Sequence, residues 1–181
     1  MRKIIPAFLT YGAVVALFAM QASSTAEVRY AQDGAFLFPQ DYRTWTFVTS
    51  GLGMSYGPSG ASDAQGNLKF DNVFASPTAY RGFQQNGVWP DKTVLVLELR
   101  GSSTNVSINR SGYVQTGVVD VEVHVKDAAR GGWAFYAFRP GQTQAKMIPR
   151  SATCYSCHEQ HGSVDTTFVQ FYPTLSGVAN R

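Results

Sequence analysis

The chain has 181 residues, of which 44% are apolar and 13% aromatic, and its 15 basic and 12 acidic side chains give a formal net charge of +3. So small a charge, with no cluster of Lys and Arg, excludes nucleic acid as the partner, because phosphate binding needs clustered cations. The length suffices for one domain with a hydrophobic core.

Residues 1–26 read as a secretory signal peptide. Arg2 and Lys3 make a positive start, Ile4 to Met20 is apolar apart from Thr10, and small residues stand at Ser24 and Ala26. The alternative is an uncleaved anchor, since the apolar run is close to bilayer-spanning length. The small-residue ending favours cleavage after about Ala26 and an exported, periplasmic product. Loss of Arg2 and Lys3 leaves 13 basic against 12 acidic residues in 27–181, a formal charge of +1.

Three blocks follow within one expected domain, 27–181. Glu27 to about Trp45 is a short lead-in, with a turn or helix entry at Pro39 to Tyr42. Thr46 to Phe138 is rich in β-branched and aromatic residues, punctuated by Gly, Ser and Asn clusters that separate strands. Ser76 to Phe83 resembles a short helix, with Ser76 as N-cap and Pro77 at the first helical position. Thr93 to Arg100 alternates, setting Val94, Val96 and Glu98 against Leu95, Leu97 and Leu99. Val118 to Asp127 sets Val119, Val121, Val123 and Val125 against Asp120, Glu122, His124 and Lys126. Such alternation predicts half-buried antiparallel strands. Trp133 to Phe138 continues after Gly131-Gly132, which predicts a hairpin with Asp127 to Arg130 in its connection. The expected fold class is mainly β (α+β): an antiparallel sheet with short helices at the ends and a C-terminal attachment segment.

That segment is Cys154-Tyr155-Ser156-Cys157-His158, and it holds both cysteines of the chain. CxxCH is the attachment signature of c-type haem. Two thiols three positions apart can add to the two vinyl groups of one haem, and the adjacent His then serves as the axial iron ligand. A disulfide, a redox dithiol and half a zinc site are the competing readings. The redox pair would sit in a βαβ context that is missing here, and a closed zinc site needs four ligands. One covalently bound haem c is therefore the expected cofactor, with Cys154 and Cys157 as attachment points and His158 on the iron. For the opposite axial position, residues 27–181 offer Met54, Met147, His124 and His161. His161 and Met147 are tethered close to the motif. An open sixth position is the more economical reading, and it favours small-molecule binding or catalysis over simple electron transfer.

The β-rich exported domain, then Trp133-Ala134-Phe135-Tyr136, then CxxCH followed by Asp165, Phe168, Gln170 and Phe171-Tyr172-Pro173-Thr174-Leu175, resembles the cytochrome P-460 family, which includes the cytochromes c′-β. The likeness runs from about Phe38 to Leu175. It implies a homodimer of antiparallel sheet domains, each with a five-coordinate haem facing a distal pocket. The cytochromes P-460 oxidise hydroxylamine and carry a lysine cross-link to the haem; the resemblance puts Leu97 at that lysine's place. Lys92 shares the parity of Val94 and Val96 and so faces away from Leu97. A distal carboxylate of the enzymes is matched by Glu122, a group that could act as a general base, although alternation alone sets Glu122 on a solvent face. The cytochromes c′-β lack the cross-link and line the pocket with apolar aromatics, which Leu68, Phe70 and Phe74 could supply from the strand before Pro77. The leading expectation is a cytochrome that binds nitric oxide or a similar diatomic. The alternatives are hydroxylamine oxidation with Glu122 as proton acceptor and plain electron transfer with a periplasmic redox partner.

Overall fold

Period-two alternation builds the sheet of the computed structural model, which describes residues 28–56, 62 and 66–179; the expected signal peptide lies outside the described residues. A short strand β1 (Phe36–Leu37) is followed by β2 (Thr46–Leu52), β3 (Phe70–Ala75), β4 (Val94–Ser103), β5 (Val114–Asp127) and β6 (Gly132–Phe138). Strands β2 to β6 form one sheet in chain order, each antiparallel to its neighbour. A last strand, β7 (Gln144–Ala145), pairs with β1. Helix α1 (Pro77–Asn86) joins β3 to β4, and α2 (Thr153–His161) carries the cysteines. Among the described residues, no helix is long and apolar enough to cross a membrane.

The expected mainly β architecture is what the chain forms, and the β5–β6 hairpin is present with Gly131 and Gly132 both at positive φ. Three local details differ from expectation. Ser76 occupies the N-cap position of α1, yet its buried side chain makes no capping bond; Pro77 is at the first turn as expected, and the helix runs on to Gly87 at φ 72°. Strand β5 starts four residues early, at Val114. Its register against β4 shifts between Leu99 and Arg100, so Val119 turns out to solvent while Val118 packs inward.

Both faces of the sheet are covered. The first carries Val94, Val96, Val121, Val123 and Val125 against Phe36, Tyr42 and Trp45. The second carries Val73, Leu95 and Trp133 beneath Phe83 of α1, Trp89, Val169, Tyr172 and Leu175. Burial of each such Val or Leu contributes about 1.5–3 kcal/mol relative to exposure. The second cover is laid by α1 and the C-terminal segment. It converts what the sequence offered as a polar, solvent-facing side of β5 into an interior.

Glu98 is a charged residue of the first face and is only 2% exposed. Its carboxylate accepts hydrogen bonds from the Tyr42 hydroxyl, from Arg43 Nε at 2.8 Å and Nη2 at 2.5 Å, and from Arg100 Nη1 at 3.1 Å. Burial alone would push this carboxyl up, but the bonds from Tyr42, Arg100 and Arg43 outweigh it and hold it below the ordinary 4.5. A depressed carboxylate stabilises the fold above its unfolded-state value and loses that contribution as pH falls through its folded value. Denaturant unfolding as a function of pH should therefore show stability falling as the pH drops below about 4.5. Glu98→Gln should remove this residue's share of that acid dependence, leaving the share of Asp127, which is also held below its ordinary value. It should cost about 3 kcal/mol at neutral pH, because the arginines and Tyr42 lose their charged acceptor.

Candidate functional site

Helix α2 has no buried residue and no capping side chain of its own, so tertiary contacts must hold it. Tyr155, the first residue between the two cysteines, supplies them. Its hydroxyl accepts the Phe135 amide of β6 at 3.2 Å and donates to the Ile148 carbonyl at 3.0 Å, while its ring packs 4.4 Å from that of Phe135. The Ile148 amide bonds back to the Phe135 carbonyl at 2.8 Å. Helical spacing then puts Cys154, Cys157 and His158 on one side of α2, where all three line a cavity of about 320 Å³ against the second face of the sheet. The two cysteines form no disulfide.

A tight turn fixes His158. Residues 163–167 reverse the chain with Asp165 and Thr166 at φ 53° and 61°, a conformation that is rare for a β-branched residue and held only by its surroundings. The brace is Thr167, whose buried hydroxyl donates to the Val164 carbonyl at 2.7 Å and accepts from Trp89 Nε1 at 2.8 Å. Lys126 adds to it by reaching the Asp165 carboxylate and, at 2.7 Å, the Trp89 carbonyl. The turn thus aims the Thr166 carbonyl at His158 Nδ1, 2.8 Å away. A carbonyl only accepts, so Nδ1 carries the proton and Nε2 keeps its lone pair for a metal. Burial also pushes the imidazole below its ordinary value, against the pull of the Thr166 bond. The rings of Phe135, His124 and Phe168 lie 4.7, 4.7 and 4.5 Å from the His158 ring.

The sheet supplies the cavity floor. Leu97 and Glu122 are direct cross-strand partners, and both line the cavity with Val73, Leu95, Leu99 and His124. The solvent-face reading of Glu122 is therefore corrected: burial, with Asp120 and Asp71 adding, raises its carboxyl above the ordinary range. The expected lining by Leu68, Phe70 and Phe74 is corrected as well. Phe70 and Phe74 pair with Arg100 and Val96, on the first face of the sheet. There Phe74 packs against Tyr42 and Phe47, while Leu68, ahead of β3, lies over Gly53. The neighbouring parity puts Asp71 and Val73 in the cavity instead. Burial pushes Asp71 up to about 6, with Lys69 pulling the other way.

The four axial candidates separate. Met147 is 42% exposed and His161 is also exposed at the end of α2, and neither lines the cavity. His124 lines it but stands beside His158, and burial together with His158 pushes it down to about 3, so it is neutral. Met54 also lines it, lying over Gly51, where an added Cβ would fall 2.1 Å from its sulfur. Sequence reasoning did not find Asp71, Thr166 or the Tyr155 contacts. Asp71 was legible as the residue of opposite parity to Phe70, but nothing local marks Thr166.

The residues fit a haem bound through two thiols and one imidazole. Two cysteine sulfurs and an imidazole whose Nδ1 is engaged by Thr166 share one largely apolar cavity. Among the described residues, no group of three His, Cys, Asp or Glu side chains converges as a cage for a metal ion, so a closed zinc site is not assembled. A family model described as Cytochrome P460 matches residues 39–169, and a haem cofactor follows from it. No curated protein matches the chain.

Gly162 gives this geometry a direct test. A Cβ there would fall 2.6 Å from the His158 carbonyl oxygen and from the Thr166 carbonyl carbon, so Gly162→Ala should move the turn away from the imidazole. Loss of the Nδ1 bond weakens the histidine as a donor to ferric iron. A redox titration of the haem-loaded variant should then give a reduction potential higher by tens of millivolts than that of the parent.

Proposed function

We propose, for a chain that belongs to the cytochrome P460 family, the function of an exported mono-haem c-type cytochrome whose second axial position takes a small nitrogenous ligand, nitric oxide above all. Cys154 and Cys157 would hold the haem as thioethers and His158 Nε2 would ligate the iron. The observation that carries this reading is the cavity shared by the CxxCH side chains and a stretch of sheet whose central residue is Leu97. An apolar leucine forms no cross-link to a porphyrin, which leaves an unmodified haem and an open pocket. The bound haem supplies an iron centre that coordinates and exchanges electrons with a small ligand. The protein's part is to anchor it, to fix His158 through Thr166 and to keep bulk water out with Phe168 and Tyr172. Localisation in the periplasm, a homodimeric assembly and a redox partner there belong to the same proposal.

A second reading is favoured by one specific observation, the position of Glu122 directly across from Leu97 and inside the cavity. There it could take a proton from bound hydroxylamine, as the resemblance implies for the enzymes of the family. Burial raises its proton affinity, which suits a group that must both accept and return a proton near neutral pH.

Absorption spectra of the purified holoprotein should show an unmodified, high-spin c-type haem, with a ferrous form that changes on adding nitric oxide. A low-spin ferric spectrum that becomes high-spin in Met54→Leu would instead assign the sixth position to Met54 and overturn the open-site reading. Hydroxylamine turnover with an artificial electron acceptor, falling about a hundredfold or more in Glu122→Ala, would establish the second reading. Turnover no faster than that of free haem would remove it.

A further inference from the structure

The cavity floor carries two carboxylates on adjacent parts of one sheet face. Asp71 on β3 is the cross-strand partner of Leu99, and Glu122 on β5 is the partner of Leu97, so the two acids flank the leucines of β4. Both line the cavity that holds Cys154, Cys157 and His158. Neither is in an ion pair among the described residues, whose pairs engage Glu98, Asp127 and Asp165 instead. The charged and titratable groups around them do not neutralise them. Lys69, just before β3, is the cation that acts on Asp71, and Asp120 of β5 adds further negative charge at Glu122. Tyr56, reached from beyond β2, is neutral at physiological pH, as is His124. The Cys154 and Cys157 sulfurs and His158 of α2 complete the surroundings.

We propose that Asp71 and Glu122 make this cavity a charge filter, which admits uncharged or cationic small ligands such as nitric oxide and hydroxylamine and turns away anions such as fluoride, azide and nitrite. The inference rests on the open-site reading above and adds the class of ligand that the site selects. The physical reason is Coulombic. One unit of negative charge in a poorly hydrated cavity changes an anion's affinity by about tenfold or more, because little water screens it. A neutral diatomic has no such penalty. Phe70 and Phe74 lie on the other face of the sheet, so the sheet side of the cavity presents charge at the β3 and β5 positions, while the aromatic lining comes from Tyr56, Phe168, Phe171 and Tyr172.

The test is fluoride binding to the ferric holoprotein, followed by absorption spectroscopy from about pH 5 to about pH 8, a range in which fluoride itself stays anionic. The acid side of the range protonates Asp71, whose carboxyl titrates at about 6, and the alkaline side charges it. Fluoride affinity should therefore fall about tenfold as pH rises, with the change centred near that value. In Asp71→Asn the fall should flatten, and affinity at the alkaline end should rise about tenfold. Glu122→Gln should likewise strengthen fluoride binding at neutral pH, and it serves as the independent variant if the first does not fold. Carboxyl bands in infrared spectra should show Asp71 protonated at the acid end and ionised at the alkaline end. Fluoride affinity that is flat with pH and the same in both variants, in a protein whose ferrous form takes up nitric oxide, would overturn the filter and leave the open site standing. A wild-type protein that binds neither nitric oxide nor fluoride would bring down the open-site reading, and the filter with it.

Discussion

The cavity exists because one antiparallel sheet is buried on both faces. In a pleated strand, successive side chains point to opposite sides, so covering the second side makes every alternate residue of β3, β4 and β5 an interior residue. Val121, Val123 and Val125 need no explanation beyond the first core. Glu122 and His124 do, because a carboxylate and an imidazole on an interior face must find partners, change their proton affinity or face a cavity. They do the last two: Glu122 is pushed up, His124 is pushed down, and both line the same space. Once α1 and the C-terminal segment have laid the second cover, the position of the site is set by parity alone.

The segment that carries CxxCH is pinned from outside itself. Tyr155 ties α2 to β6, and the 163–167 turn, braced by Thr167 and Trp89, presents a carbonyl to His158. Two successive non-glycine residues at positive φ are a local cost, which the buried Trp89–Thr167 bond and the Lys126–Asp165 pair offset. The result is an imidazole with one tautomer and one orientation before any cofactor is attached. Fixing a ligand through its outer hydrogen bond is how a protein tunes metal chemistry without touching the metal.

Charge is the other determinant. The sheet face that meets the cavity is leucine and valine along β4 and at Val73, with carboxylates at Asp71 and Glu122 on either side. That placement is the basis of the charge filter and of the proton acceptor proposed above. The same two acids serve both functional readings, since nitric oxide and hydroxylamine are uncharged where nitrite and azide are not. Leu97 lies between them, and in the reading proposed above it leaves the haem unmodified, which separates the two.

The sheet, the hairpin and the CxxCH motif were legible in the chain's local pattern. Alternation over β4 and β5 encodes burial of one face, and CxxCH is complete within five residues, so both are local properties. The sequence also brought Glu122 and Leu97 to notice, through resemblance. It could not say which side of β5 faced solvent, because alternation states that two faces differ and not what covers the second. That choice fell to α1, Trp89, Tyr172 and Leu175, which lie far from β5 along the chain. From it followed the removal of Phe70 and Phe74 from the site and the entry of Asp71. The Thr166 carbonyl was beyond sequence reading for a related reason. A main-chain acceptor has no side-chain signature, and only the packing of Thr167 under Trp89 decided where it would point.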